Sequence, residues 1–152
     1  QAAAKPMTQA LPALRPATFM ARQDDCVVDA AYVQSFLATS RMHLVDARSA
    51  DRFRGENETL DPVGGHIPGA VNRFFRDNLQ ADGCFKSPAE LRAEWLAVLA
   101  GSSPEQVVHL CGSGVSACLA MLAMEIAGLP GSRLYAGSWS EWCADRGRPV
   151  TK

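Results

Sequence analysis

The segment His109-Leu110-Cys111-Gly112-Ser113-Gly114-Val115-Ser116 decides the fold. The apolar run Val107 to Cys111 has the length and content of a buried strand, and it ends on a cysteine. Two glycines around a serine follow. A helical pattern then starts at Val115 and runs to a stop at Gly128. Strand, short glycine loop and helix in that order predict one βα unit of a parallel sheet. The glycines let successive N–H groups turn inward as an anion-binding nest. The helix adds its positive end and its unsatisfied amides at the same place. A thiol held there is expected to shift toward thiolate, the nucleophilic form.

The same alternation extends in both directions. Asp29 can cap a helix to about Thr39, and Met42 to Val45 reads as a buried strand ending at Asp46-Ala47-Arg48. A loop rich in glycine, proline and charge covers 55–69, and Ala70 to Phe75 is a strand candidate. Ser87-Pro88-Ala89-Glu90 spells a capping box with proline at the first helical position, opening a helix that stops at Gly101. Leu134-Tyr135 form a last strand before a helix from Ser138 to Ala144. Strands separated by helices predict an α/β fold with a mostly parallel sheet covered on both faces. Ligands in such folds bind beyond the carboxyl ends of the strands. The loops after Val45, Cys111 and Tyr135 are therefore where chemistry is expected.

Composition narrows the function. The chain has 152 residues, 47% hydrophobic, with 15 basic against 16 acidic side chains. That balance excludes disorder and gives no cationic excess for nucleic acid. The longest apolar run, Ala117 to Met124, is far too short to span a membrane. Five irregularly spaced cysteines make no disulfide framework and, with three scattered histidines, no metal site; they point to a reducing, cytoplasmic setting. Residues 1–17 carry Pro6, Pro12 and Pro16 and read as a linker, leaving 18–152 as the catalytic domain. Lys5-Pro6-Met7-Thr8-Gln9 echoes Arg148-Pro149-Val150-Thr151-Lys152 in chemical type, the expectation being one repeat of a tandem.

Two nucleophile chemistries compete for Cys111. A phosphatase needs an arginine to clamp phosphate, but position 117 is alanine and residues 112–126 hold no arginine. Sulfur transfer needs no such clamp, because amides alone can hold a small persulfide anion.

The chain resembles the rhodanese-type sulfurtransferases over most of Val27 to Lys152. Four ordered segments carry the likeness: Leu44-Val45-Asp46-Ala47-Arg48, Gly65-His66-Ile67-Pro68-Gly69-Ala70-Val71-Asn72, Cys111 to Ala117, and Tyr135-Ala136-Gly137-Ser138-Trp139-Ser140-Glu141-Trp142. It is nearest to the catalytic C-terminal half of the tandem thiosulfate and 3-mercaptopyruvate enzymes, which gives the terminal echo a meaning. The resemblance implies a three-layer α/β/α fold, no cofactor, a small sulfur donor, a thiophilic acceptor such as cyanide or a thiol, and a Cys111 persulfide between them. It implies a catalytic role for Ser113 beside Cys111, and a binding loop of Gly112, Ser113, Gly114, Val115 and Ser116. Gly112 and Ser113 stand where thiosulfate-preferring relatives carry basic residues, which resembles the mercaptopyruvate type. Arg52 matches one substrate-carboxylate arginine; the second would fall near Asp61, where the chain departs from the pattern. A first repeat would be the domain's partner in a longer parent. The alternative is a persulfide-carrying or regulatory module acting on a protein partner, and phosphatase or arsenate reductase is a third.

Other residues have plainer expectations. Arg48 and Arg54 could line an anion mouth with Arg52, while Arg73 and Arg76 are expected at the surface. Asp46 should orient its loop and His66 should structure its own. His109 and Cys118 should pack in the core, and Trp139 could wall the pocket. Cys26, Cys84 and Cys143 have no motif around them.

Overall fold

The computed structural model describes residues 17–18, 20, 25–37 and 39–152. The expected linker, apart from its last residue, and the echo at Lys5 to Gln9 lie outside the described residues. Five strands form one wholly parallel sheet: β1 (Val27–Val28), β2 (His43–Asp46), β3 (Val71–Asn72), β4 (Val107–Leu110) and β5 (Arg133–Tyr135), in the order β1-β5-β4-β2-β3. The helices are α1 (Ala30–Phe36), α2 (Ala50–Phe53), α3 (Pro88–Leu99), α4 (Val115–Ile126) and α5 (Ser138–Ala144).

Side-chain alternation along the strands builds two cores. Val45, Val107 and Cys111 face α3 and α4, packing with Leu91, Trp95, Leu99, Ala120 and Met124. Leu44, Val108 and Leu110 face the other way, onto Val33 of α1 and Trp139 and Trp142 of α5. The three layers expected from the sequence are therefore present. Helix α3 starts as its sequence dictates, with Ser87 and Glu90 completing a reciprocal capping box. Helix α4 ends in a left-handed Gly128 at φ +68°, whose amide bonds Glu125 O.

Several expectations need correction. Helix α1 stops at Phe36 rather than Thr39, because both the amide and hydroxyl of Thr39 turn back onto Phe36 O. The strand expected over 70–75 is only Val71–Asn72, since its partner β2 ends at Asp46 and Phe75 begins a 3-10 turn. Arg73 is buried rather than superficial. Its guanidinium lies 4.8 Å over the Trp95 ring and bonds Glu94 at 2.6 Å and Asn78 at 3.1 Å. Cys118 is exposed. The buried stripe of α4 is Ala117, Ala120, Ala123 and Met124, and position 118 shares the outer side with exposed Val115 and Leu122. The two-residue β1 and the single turn α2 had no sequence signal. Among the described residues, no helix is long and apolar enough to cross a membrane.

His109 does pack in the core, at a price in pH tolerance. It is fully buried edge-on to Trp95 (centroids 5.4 Å), and neither ring nitrogen has a hydrogen-bond partner among the described residues. Burial holds its pKa down at about 3, with nearby His43 adding to the effect. A folded pKa below the unfolded value of 6.5 means that unfolding takes up a proton in acid. Stability should be full above pH 6.5 and fall below it, by up to about 1.4 kcal/mol per pH unit on the way to pH 3. Denaturant titrations from pH 7.5 to 5 should show this decline, and His109→Phe should flatten it. An equal slope in both proteins would clear His109 of the effect.

Candidate active site

Cys111 follows β4 directly, next to the end of β2, where the sheet order reverses direction and a crevice opens. Its amide donates to Ser138 Oγ (3.1 Å), whose hydroxyl donates to Tyr135 O (2.9 Å). Ser138 adopts φ +55°, a left-handed conformation unusual for a residue with a side chain, at the point where β5 turns into α5. The next two amides close the clamp: Trp139 N–H donates to Cys111 O and Ser140 N–H to Gly112 O. The loop after β5 thus holds the cysteine loop from behind.

The loop itself is built by Gly114. Its φ is +81°, and a Cβ there would sit 2.5 Å from Ala136 O, so conformation and space both require glycine. Among the described residues, the amides of Gly112, Ser113, Gly114, Val115 and Ser116 donate to no protein acceptor. Five successive unspent donors at the start of a twelve-residue helix form a site with positive potential. A cavity of about 320 Å³ opens over it. Cys111, Gly112, Ser113 and Ser116 line it, with Arg48, Arg52, Asp61, Leu60, Phe74 and Ser140 among the facing residues. Cys111 itself is 2% exposed, so a reactant has to enter the cavity to reach it.

The two arginines expected at this mouth behave differently. Arg48 is spent on structure. Its Nε and Nη2 grip the buried Asp46 carboxylate (2.7–3.1 Å), Nη2 also bonds Gly65 O, and the guanidinium lies 4.7 Å over Trp139. Burial pushes the Asp46 carboxyl upward, and the bonds and charge of Arg48 oppose it. Asp46 also accepts the Arg48 amide (2.9 Å), so it orients its loop as expected. Trp139 stands behind Arg48, donating to Val63 O, and does not line the cavity.

Arg52 is gripped along one edge only. Its Nε and Nη2 bond Glu58 at 2.8–3.1 Å, and Nη2 reaches Asp61 at 3.5 Å. Nη1 donates to no protein acceptor among the described residues and lies over Gly112, 3.5 Å from where a Cβ would be. Glu58, within the glycine-rich loop, gave no sequence signal because that loop has no periodicity to read. Burial raises its pKa, but Arg52 and the amides of Leu60 and Asp61 outweigh that and hold it below the ordinary value.

The remaining candidates fall elsewhere. Val115 is 76% exposed and, like Gly114, is not among the residues lining the cavity. Arg54 is exposed and paired with Glu56, and Arg76 is exposed beside Phe75. His66 stacks on Phe53 at 3.8 Å and its Nδ1 contacts Phe53 O at 2.9 Å, structuring the loop as expected. Among the described residues, no three His, Cys, Asp or Glu side chains are placed to hold a metal ion.

A cysteine that ends a parallel strand on a glycine loop opening into a helix marks the class of this α/β domain, and comparison with known proteins gives its family. The chain belongs to the rhodanese-like domain family, whose model matches residues 29–145. It is 46% identical over 151 residues to a probable 3-mercaptopyruvate sulfurtransferase of Pseudomonas aeruginosa, covering 99% of this chain and 53% of that protein. It is 39% identical over 137 residues to the 3-mercaptopyruvate sulfurtransferase of Homo sapiens (88% and 46% covered). The thiosulfate sulfurtransferase of Mus musculus is 42% identical over 109 residues (70% and 36% covered). The chain spans about half the length of the first two of these relatives. The fold alone is shared with the anaerobic ergothioneine biosynthesis enzyme of Chlorobium limicola, at a TM-score of 0.74 and 23% identity over 84% of this chain and 32% of that one.

Proposed function

We propose that this domain is a sulfurtransferase that carries sulfane sulfur on Cys111, taking it from thiosulfate or 3-mercaptopyruvate and passing it to a thiophilic acceptor. The observation that carries the reading is a buried cysteine lining a cavity at the head of a loop of five successive amides, residues 112–116, without protein acceptors among the described residues.

The donor step follows from that geometry. Cys111 thiolate attacks the outer sulfur of thiosulfate, a new S–S bond forms, and the old one breaks with its electron pair leaving on sulfite. With 3-mercaptopyruvate the broken bond is C–S, and the carbon left behind takes up the thiol proton to give pyruvate. Both routes leave Cys111–S–S⁻, whose terminal charge the amides of residues 112–116 stabilise without reorganising. Ser113 and Ser116 line the same cavity and supply hydroxyl donors. The free Nη1 of Arg52 receives the anionic end of the donor. The acceptor then removes the outer sulfur and returns the thiolate.

The domain works as half of a longer protein, a first repeat being its partner, in a reducing compartment such as the cytoplasm. Its five thiols are all free, which suits that setting. Incubation with either donor should add one sulfur atom to the intact mass, and cyanide should then remove it as thiocyanate. A mass that never changes with either donor would end this reading.

A further inference from the structure

The wall of the cavity that carries Arg52 has little stiffness of its own. Helix α2 is a single turn, and an isolated turn has too few hydrogen bonds to offset the entropy of ordering it. Its N-cap residue, Ser49, makes no side-chain cap. The loop that follows closes on itself. A Cβ on Gly55 would stand 2.7 Å from Gly65 N, and one on Gly64 would stand 2.9 Å from Gly55 O, so the two ends of the loop touch through bare backbone. Residues 56–63 hang from that neck. They include Glu58, which grips Arg52, and Asp61, which lines the cavity. What fixes the neck therefore fixes the mouth.

The neck is held from both sides. On the outside, His66 and Thr151 exchange backbone bonds, His66 N–H to Thr151 O at 2.8 Å and Thr151 N–H to His66 O at 3.0 Å. A Cβ on Gly65 would collide with Thr151 O. Pro149 O is pinned in turn by Trp142 Nε1 of α5 at 2.9 Å. On the inside, the His66 ring stacks on Phe53 at 3.8 Å, and its Nδ1 lies 2.9 Å from Phe53 O. A carbonyl oxygen only accepts, so Nδ1 carries the proton and donates it. Phe53 follows Arg52 directly and ends α2, where a helix leaves its carbonyls unpaired.

Resting on the sulfurtransferase reading above, we infer that His66 is a positioning residue for Arg52, held in place for that purpose by its bridge to Thr151. The route runs from Thr151 through His66 and Phe53 to Arg52. It ends at the Nη1 over Gly112, where the anionic end of the donor is received. His66 is not among the residues lining the cavity and touches no reacting atom. It acts on how tightly the donor is bound, and leaves the sulfur chemistry at Cys111 alone.

The test follows loading of the 152-residue protein by thiosulfate through its intact mass, giving the half-saturating donor concentration and the maximal rate. Arg52→Gln should raise the half-saturating concentration about tenfold, the loss of one charge-assisted hydrogen bond. His66→Phe keeps a ring over Phe53 but loses the Nδ1 donor. It should raise the same quantity about fivefold, with the maximal rate within about twofold of the parent. His66→Asn puts an amide nitrogen where Nδ1 stood and should recover most of the loss. Thr151→Pro removes one amide of the bridge and should act in the same direction as His66→Phe. The decisive measurement is the double variant. With Arg52→Gln already present, His66→Phe should change the half-saturating concentration by less than about 1.5-fold, because the group it positions is gone. A purely structural role would persist on that background. Multiplied effects in the double variant, or donor binding unchanged by His66→Phe, overturn the assignment. A fall in maximal rate with half-saturation unmoved does the same. Should His66→Phe not fold, His66→Asn and Thr151→Pro on the Arg52→Gln background decide by the same criterion. An Arg52→Gln protein that binds thiosulfate as the parent does overturns the route and leaves sulfur transfer standing. A parent that never takes up sulfur overturns the underlying reading, and this one with it.

Discussion

Cys111→Ser is expected to abolish sulfur uptake, with no added sulfur in the intact mass and thiocyanate release down by at least about a thousandfold. The expectation rests on the difference between a thiol and an alcohol. Serine fits the same space but stays protonated at neutral pH, and the amides around it cannot supply the missing nucleophile. They would still bind an anion, so donor binding should outlast the loss of turnover. That separation is the informative part, because a substitution that merely unfolded the loop would lose both. Circular dichroism and the thermal midpoint should stay near the parent values, since the side chain touches the α3–α4 core through one sulfur atom. Comparable thiocyanate from variant and parent would remove Cys111 from the mechanism and leave the cavity without its purpose.

The strand, glycine turn and helix of that segment were legible from local chemistry, and there is a physical reason. Gly112, Gly114 and the helix starting at Val115 act within a few residues of each other, so their geometry is written in adjacent letters. The capping box at Ser87 and Glu90 is local in the same sense. Failures came where a side chain's fate depends on distant partners. Arg73 looks like any surface arginine until Trp95 and Glu94, some twenty residues on, close around it. Helix α4 is apolar on nearly every side, so its pattern carried no phase, and Cys118, expected in the core, lies instead on the exposed side. Glu58 sits in a loop whose only visible order was its glycines. Ser138 takes a strained conformation that its own sequence does not request, and only the hydrogen bond to Cys111 N explains why the position matters.

Arg48 supplies the test of how the site is held rather than how it reacts. Its guanidinium and the Asp46 carboxylate are both almost wholly withdrawn from water, and Asp46 lies at the end of the strand beside Cys111. Arg48→Met keeps most of the apolar stem over Trp139 but leaves Asp46 as a buried, uncompensated charge. The cost should be about 3–5 kcal/mol, a large share of the roughly 5–15 kcal/mol that holds such domains together. The pH dependence identifies the cause. Burial already raises Asp46, and without the Arg48 guanidinium only the amide of residue 48 and the charge of His66 oppose that, so the folded variant favours the protonated acid more than the parent does. A folded pKa above the unfolded one means stability is regained as pH falls through it. The deficit of Arg48→Met against the parent should therefore be smaller at pH 5 than at pH 7.5. The acid sensitivity of His109 is common to both proteins and cancels in that difference. Asp46→Asn combined with Arg48→Met should recover much of the loss, because an amide does not need a counter-charge and can still accept the backbone N–H of residue 48. Chemical denaturation of the parent, both single variants and the double variant at the two pH values measures the coupling directly. Additive losses with no pH dependence would mean that the pair is a bystander, and that the loop after β2 is held by packing alone.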